Sequence, residues 1–153
     1  MQRQTSEIML FEELTACYAA TRCPVQVLVI DRVNGPANIL IDTIGLLMEQ
    51  EISVLSVENY DDAIRAMDYY YFDVVVVGLD GHQPRQMTVL PVVHAHQPDA
   101  PILVVGRELS REQRNYARYY GARDVWTVPE RAAELKTLLL RMAERYFVSA
   151  QAS

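Results

Sequence analysis

Long hydrophobic runs are missing from this chain: the longest cover residues 74–79 and 101–105, far short of the ~20 apolar residues that a membrane-spanning helix needs. No N-terminal stretch combines a basic region, an apolar core and a small-residue cleavage site, so the sequence reads as cytoplasmic, with no membrane partner. Cysteine is scarce. Cys17 and Cys23 lie six apart without a Cys-x-x-Cys spacing or a neighbouring histidine, which leaves no metal quartet and no redox pair, only two small core residues. Positive charge is in deficit too: 14 Lys and Arg face 20 Asp and Glu, for a net charge of −6. That is the wrong sign for coating nucleic acid or an anionic membrane. No Gly-x-Gly-x-x-Gly or Walker-type loop follows any strand-like segment, so a nucleotide has no backbone cradle of the usual kind and no cofactor is expected.

What is present is a chain of 153 residues, half of them hydrophobic, enough for one domain that buries roughly 70% of its unfolded surface. From Pro24 onward, short β-branched runs alternate with segments of helical period, the pattern of an α/β fold with a parallel sheet covered on both faces. Five strand–helix pairs follow. The first strand is Val25–Ile30, and beyond the turn signal Asn34-Gly35-Pro36 a helix buries Leu40, Ile41, Ile44, Leu47 and Met48. Residues 53–57, half polar, suit a sheet edge, and Asn59 caps a helix to about Tyr71 with Ala63, Ile64, Met67, Tyr70 and Tyr71 inward. Residues 73–79 are apolar on both faces and belong in the middle of the sheet. A third helix over 85–97 is kinked or shortened by Pro91. Residues 101–105 form the fourth strand, Ser110 caps a helix that Gly121 stops, and 124–127 form the fifth strand. A last helix over 131–147 turns Leu135, Leu138, Leu139, Met142 and Tyr146 to one face. Ahead of these, an extra helix to about Ala20 carries Leu10, Phe11, Leu14 and Tyr18 as an apolar stripe. The chain thus divides into a helical extension (1–23), a domain (24–148) and a frayed tail (149–153).

Several ordered landmarks carry a family likeness. Val27-Leu28-Val29-Ile30-Asp31 ends the first strand, Phe72-Asp73-Val74-Val75-Val76-Val77 forms the third and Pro101-Ile102-Leu103-Val104-Val105 the fourth, while Gly121-Ala122-Arg123-Asp124 enters the fifth and Thr127-Val128-Pro129 leaves it. Together they resemble the CheY-like receiver domain of bacterial response regulators over about residues 24–147. The resemblance implies a flavodoxin-like (βα)5 fold with strand order 2-1-3-4-5. It also implies chemistry: an aspartate nucleophile, acids that hold Mg²⁺, and a lysine and a hydroxyl that sense the phosphoryl group.

Position by position, that chemistry is missing. Asp31 survives from the acid pair, but Arg32 stands where the second metal-holding acid belongs. Gly78 falls at the phosphoacceptor position, Gly106 at the switch hydroxyl, Val128 at the lysine and Val125 at the aromatic switch. Asp80 lies two residues past Gly78, roughly 6 to 7 Å along an extended chain, and reads as part of an Asp80-Gly81 turn. Neither a metal site nor catalysis is therefore expected. Arg32 is expected to pair with Asp31 or a nearby carbonyl.

The expected function is a phosphorylation-independent receiver that serves as a protein-interaction module in bacterial signal transduction, with another signalling protein as partner. Receivers commonly signal through the fourth helix, fifth strand and fifth helix, which points here to Tyr116, Arg118 and Tyr119. No DNA-binding module follows Phe147, so output would pass through contacts with another chain. A homodimer is expected, with Leu10, Phe11 and Leu14 as its contact. One alternative is an anion or small-molecule sensor built on Arg32 and Arg107 at the carboxyl ends of strands. Another is the regulatory N-terminal domain of a larger protein, as in pilus-assembly ATPases that begin with a degenerate receiver. Arg111, Arg114 and Arg118 share one helix face, which could serve an acidic partner or a nucleic acid but reads first as a solvated surface partly balanced by Glu108 and Glu112. His82, His94 and His96 read as surface residues.

Overall fold

The computed structural model describes residues 24–48, 52–80 and 87–148. The N-terminal extension with Leu10, Phe11 and Leu14, both cysteines, His82 and the tail lie outside the described residues. Five parallel strands, β1 (Val25–Ile30), β2 (Ile52–Val57), β3 (Val74–Asp80), β4 (Ile102–Arg107) and β5 (Ala122–Thr127), form one sheet in the order β2-β1-β3-β4-β5. Both the class and the strand order expected from the sequence are present.

The connecting helices are α1 (Pro36–Met48), α2 (Tyr60–Tyr69), α3 (Val89–His96), α4 (Arg111–Tyr119) and α5 (Ala132–Met142), the last running into a π-helical turn, Ala143–Val148. Ala63, Ala66 and Met67 of α2, Val89, Leu90 and Val93 of α3 and Ala117 of α4 pack one core with Leu28, Val75, Val77 and Val104. Leu40, Ile41 and Ile44 of α1 and Leu138, Leu139 and Met142 of α5 pack the other with Val27, Val76 and Leu103. Strand side chains alternate between the two cores, and β3, covered on both faces, is apolar from Val74 to Leu79 as a central strand must be. The half-polar β2 lies at the edge.

Local chemistry sets the helix ends. The Asn59 side chain accepts the Asp62 N–H, and Ser110 forms a reciprocal capping box with Gln113. Gly121 ends α4 at φ +105°, a conformation that glycine alone adopts without strain. Pro36 opens α1, where its missing N–H costs nothing.

Four details depart from the sequence expectation. Leu47 is exposed, because α1 turns Leu46 and Leu47 outward and its inward stripe ends at Ile44 within the described residues. Tyr70 and Tyr71 lie beyond the end of α2 and outside the core, since Tyr70 is already extended. α3 starts at Val89, after a 3₁₀ turn at Met87 and Thr88, so that Pro91 falls within its first turn, where its missing N–H is harmless. The last helix changes to π geometry after Met142, which buries Tyr146 and Phe147 together.

Candidate functional site

The carboxyl ends of β1, β3 and β4 frame the region where a receiver would carry its chemistry. Asp31 follows β1 and is only 2% exposed. Its carboxylate turns back over the start of α1: Oδ1 accepts the Arg32 N–H at 2.8 Å and Oδ2 the Ala37 N–H at 2.9 Å. The Ala37 amide is one that a helix N-terminus leaves unpaired, and the positive end of the helix dipole favours an acid there; the Arg32 amide belongs to the loop before the helix. Asn38 locks the same loop. Its Nδ2 donates to the Arg32 carbonyl at 2.7 Å, and its Oδ1 accepts the Ser56 hydroxyl at 2.7 Å, tying the loop to the edge strand. Burial pushes the Asp31 carboxyl above its ordinary range, while the amides of Ala37, Arg32 and Asn38 and, after them, the Arg32 guanidinium pull it back. The backbone amides thus supply the larger part of the compensation and the Arg32 guanidinium a smaller part.

Two glycines make room for this arrangement. A Cβ built on either Gly35 or Gly78 would overlap the Asp31 carboxylate. The space beside Gly78, where the resemblance puts a phosphoacceptor, is therefore filled by Asp31. Gly106 is covered in a similar way: an added Cβ would come within 2.7 Å of Leu109 Cδ2 and of the Leu79 carbonyl oxygen. Leu109 reaches this position through Glu108, whose φ of 52° is left-handed and costly for a residue with a side chain. The Val128 N–H donates to the Gly106 carbonyl at 2.9 Å, and the Val128 side chain packs toward the α1 and α5 core. Val125 is buried in the opposite core.

Lys136, the only lysine in the chain, is exposed on α5, so no lysine stands at the end of β5. Mg²⁺ demands an octahedron of oxygens. Here both oxygens of Asp31 face N–H donors, and the neighbouring residue is a cation, so the residues present do not fit that ion.

Arg32 and Arg107 are both exposed. Arg107 ends β4 in register with Asp80, which is the last residue of β3 rather than part of a loop as the sequence suggested. A surface cavity of about 440 Å³ beside the turn after β4 is lined by Met87, Glu108, Ser110, Glu112, Gln113 and Tyr116. Its charged groups are two glutamates, which suits no anion.

The residues expected on the interaction face separate. Tyr116 is half-buried, its ring 4.4 Å from that of Tyr120, and both pack on the core. Tyr119 is 81% exposed, and Arg118 is exposed beside it. Arg114 donates to Thr127 Oγ1 at 2.8 Å and braces α4 against β5, leaving Arg111 and Arg118 outward. His94 and His96 are exposed, and His96 Nε2 lies 3.7 Å from Asp68 Oδ1.

Buried Gln97 went unnoticed in the sequence. Its Oε1 accepts the Phe72 N–H at 3.0 Å, and its Nε2 donates to the Tyr70 carbonyl at 2.6 Å and to that of Met67 at 3.3 Å. The role of Leu109 was also missed, although an apolar residue between Glu108 and a capping Ser110 is itself a signal that the turn folds inward.

No protein-family model matches the sequence, and no curated protein matches it. Solved structures do. An orphan response regulator of H. pylori is 21% identical over 82% of this chain and 98% of that one, with a TM-score of 0.61. A response regulator from Thermotoga maritima is 18% identical over 79% of this chain and 96% of its own, with a TM-score of 0.62. A CheY-like protein (tadZ) from Pseudomonas aeruginosa is 18% identical over 79% and 94%, with a TM-score of 0.58. The chain has the fold of response-regulator receiver domains. Among the described residues no helix is long and apolar enough to cross a membrane.

Proposed function

We propose that the protein is a phosphorylation-independent receiver that acts as a protein-interaction module in bacterial signalling, without enzymatic activity, its partner being another signalling protein or a second copy of itself. The observation that carries this reading is the Asp31 carboxylate lodged against Gly35 and Gly78. An acceptor carboxylate at Gly78 would collide with it, and without an acceptor there is nothing to phosphorylate. The likeness to an orphan response regulator supports the signalling-receiver part of this reading.

Incubation with acetyl phosphate, or with beryllofluoride and Mg²⁺, tests it. The intact mass and the amide NMR spectrum are expected to stay unchanged. A mass gain of one phosphoryl group on Asp31 or Asp80 overturns the reading. Stabilisation by phosphate or nucleotides in the absence of Mg²⁺, lost on Arg32→Ala or Arg107→Ala, turns it toward an anion sensor instead.

A further inference from the structure

The helical layer α2-α3-α4 carries opposite net charge on its two flanks: −2 on α2, from Asp61, Asp62 and Asp68 against Arg65, and +2 on α4, from Arg111, Arg114 and Arg118 against Glu112. α2 and α4 each follow a strand of the same parallel sheet and pack into the same core, so they run in the same direction, with α3 between them. On α2, Asp61 and Asp68 are seven residues apart, followed by Tyr69; on α4, Arg111 and Arg118 are seven apart, followed by Tyr119. Seven residues are two helical turns, about 10 Å, so each pair lies on one face. Between these charges stand Asp62 and Arg65 on α2, which pair with each other at 3.8 Å, and Glu112 and Arg114 on α4, with the uncharged Asn115 at the offset of Arg65. Tyr69 and Tyr119 are both 81% exposed. The side chains of Asp61, Arg111 and Arg118 hold no ion pair among the described residues, and Asp68 keeps 58% exposure beside His96. In the middle, α3 offers no carboxylate or guanidinium: its outward residues include Val92, Ala95 and the histidines.

We propose that this layer is the contact face of a symmetric homodimer. A two-fold axis parallel to α3 lays the layer of one copy on that of the other. It sets α3 against α3 and the acidic α2 of each copy along the basic α4 of its partner, both running the same way. Asp61 then meets Arg111, Asp68 meets Arg118 and Tyr69 meets Tyr119, and every contact occurs twice, as an isologous interface requires. A perpendicular axis would oppose like charges, so the pattern selects one arrangement. Three short helices at about 10 Å spacing make a small face, below the size of permanent interfaces, so the dimer is weak and concentration-dependent. This inference goes beyond the proposed function, because it holds whether or not the pocket accepts a phosphoryl group.

The test is a charge-reversal cycle on the full chain, read by sedimentation velocity from 10 to several hundred micromolar. The unmodified protein is expected to dimerise in the micromolar range, and at least tenfold more weakly in 0.5 M salt. Asp61→Arg with Asp68→Arg makes both flanks basic, and Arg111→Asp with Arg118→Asp makes both acidic. Each variant alone is expected to be monomeric. An equimolar mixture of the two is expected to regain the dimer, since both flanks become complementary again; misfolded variants would not do so, and circular dichroism identifies them. A protein that stays monomeric throughout overturns the proposal. So does a dimer indifferent to salt and to both reversals, which would place the contact elsewhere, including residues 1–23. If the folded variants fail to pair when mixed, the register is wrong and the proposal falls.

Discussion

A methyl group on Gly78 would overlap the Asp31 carboxylate, so a substitution that ordinarily favours a strand turns unfavourable here. Gly78→Ala is expected to destabilise the domain by about 1–3 kcal/mol, the usual cost of overpacking. Asp31→Ala is expected to cost a similar amount for a different reason: it leaves the Arg32 and Ala37 amides without their acceptor. In the double variant the clash is gone, so the penalties should fall short of their sum by about 1–2 kcal/mol. Urea unfolding of the three proteins measures the coupling. Strict additivity would show that Asp31 has another place to go and does not fill the space beside Gly78. The same geometry predicts that a single Gly78→Asp change does not create a phosphoacceptor, because both Asp31 oxygens already accept N–H groups and the one lysine, Lys136, is exposed on α5; intact mass after incubation with acetyl phosphate and Mg²⁺ checks this.

At the scale of elements, the ends of α2 and α3 depend on one amide. Gln97 is 3% exposed and offers an acceptor to Phe72 and donors to Tyr70 and Met67. Gln97→Leu keeps much of the volume and removes all three bonds, so it is expected to lower stability by about 3 kcal/mol. Thermal or urea denaturation checks this; a change below about 1 kcal/mol would mean that water takes the place of the amide. Gln97 also marks the limit of what the sequence revealed. The strands were legible because an apolar run such as Val74-Val75-Val76-Val77 has one physical solution, burial on both faces. The helix caps were legible because Asn59, Ser110 and Gly121 act on their own neighbours. Gln97 bonds to groups about 25 to 30 positions away, and the π turn after Met142 answers to Asp124, which accepts a hydrogen bond from Tyr146 and pairs with Arg145 at 3.0 Å. Neither can be seen by looking along the chain. The candidate site was half legible. The residue types at Gly78, Gly106 and Val128 could be read one by one, but not the inward turn of Asp31 and Leu109 into the space beside the two glycines.

For the whole molecule the question is whether the two cores fold as one. They share no side chains, because the sheet separates them, yet adjacent residues of each strand feed both. Removing atoms from one core should therefore loosen the strands that hold the other. Trp126, the single tryptophan, packs on the α1 and α5 side, its ring 6.1 Å from that of Tyr146, and so its fluorescence reports that core. Leu90 lies fully buried in the opposite core. Leu90→Ala is expected to cost about 2–5 kcal/mol, and the denaturation midpoint followed by Trp126 fluorescence should fall by the same amount as that followed by far-UV circular dichroism, as in a two-state transition. If the fluorescence midpoint stayed where it was while the dichroism midpoint moved, the α2-α3-α4 layer would be able to unfold alone. Its contact face could then be remodelled without disturbing the sheet edge around Asp31. Coincident midpoints would instead make the dimer face and the closed pocket parts of one cooperative unit, so that any partner binding the layer in its folded state stabilises the whole domain by mass action.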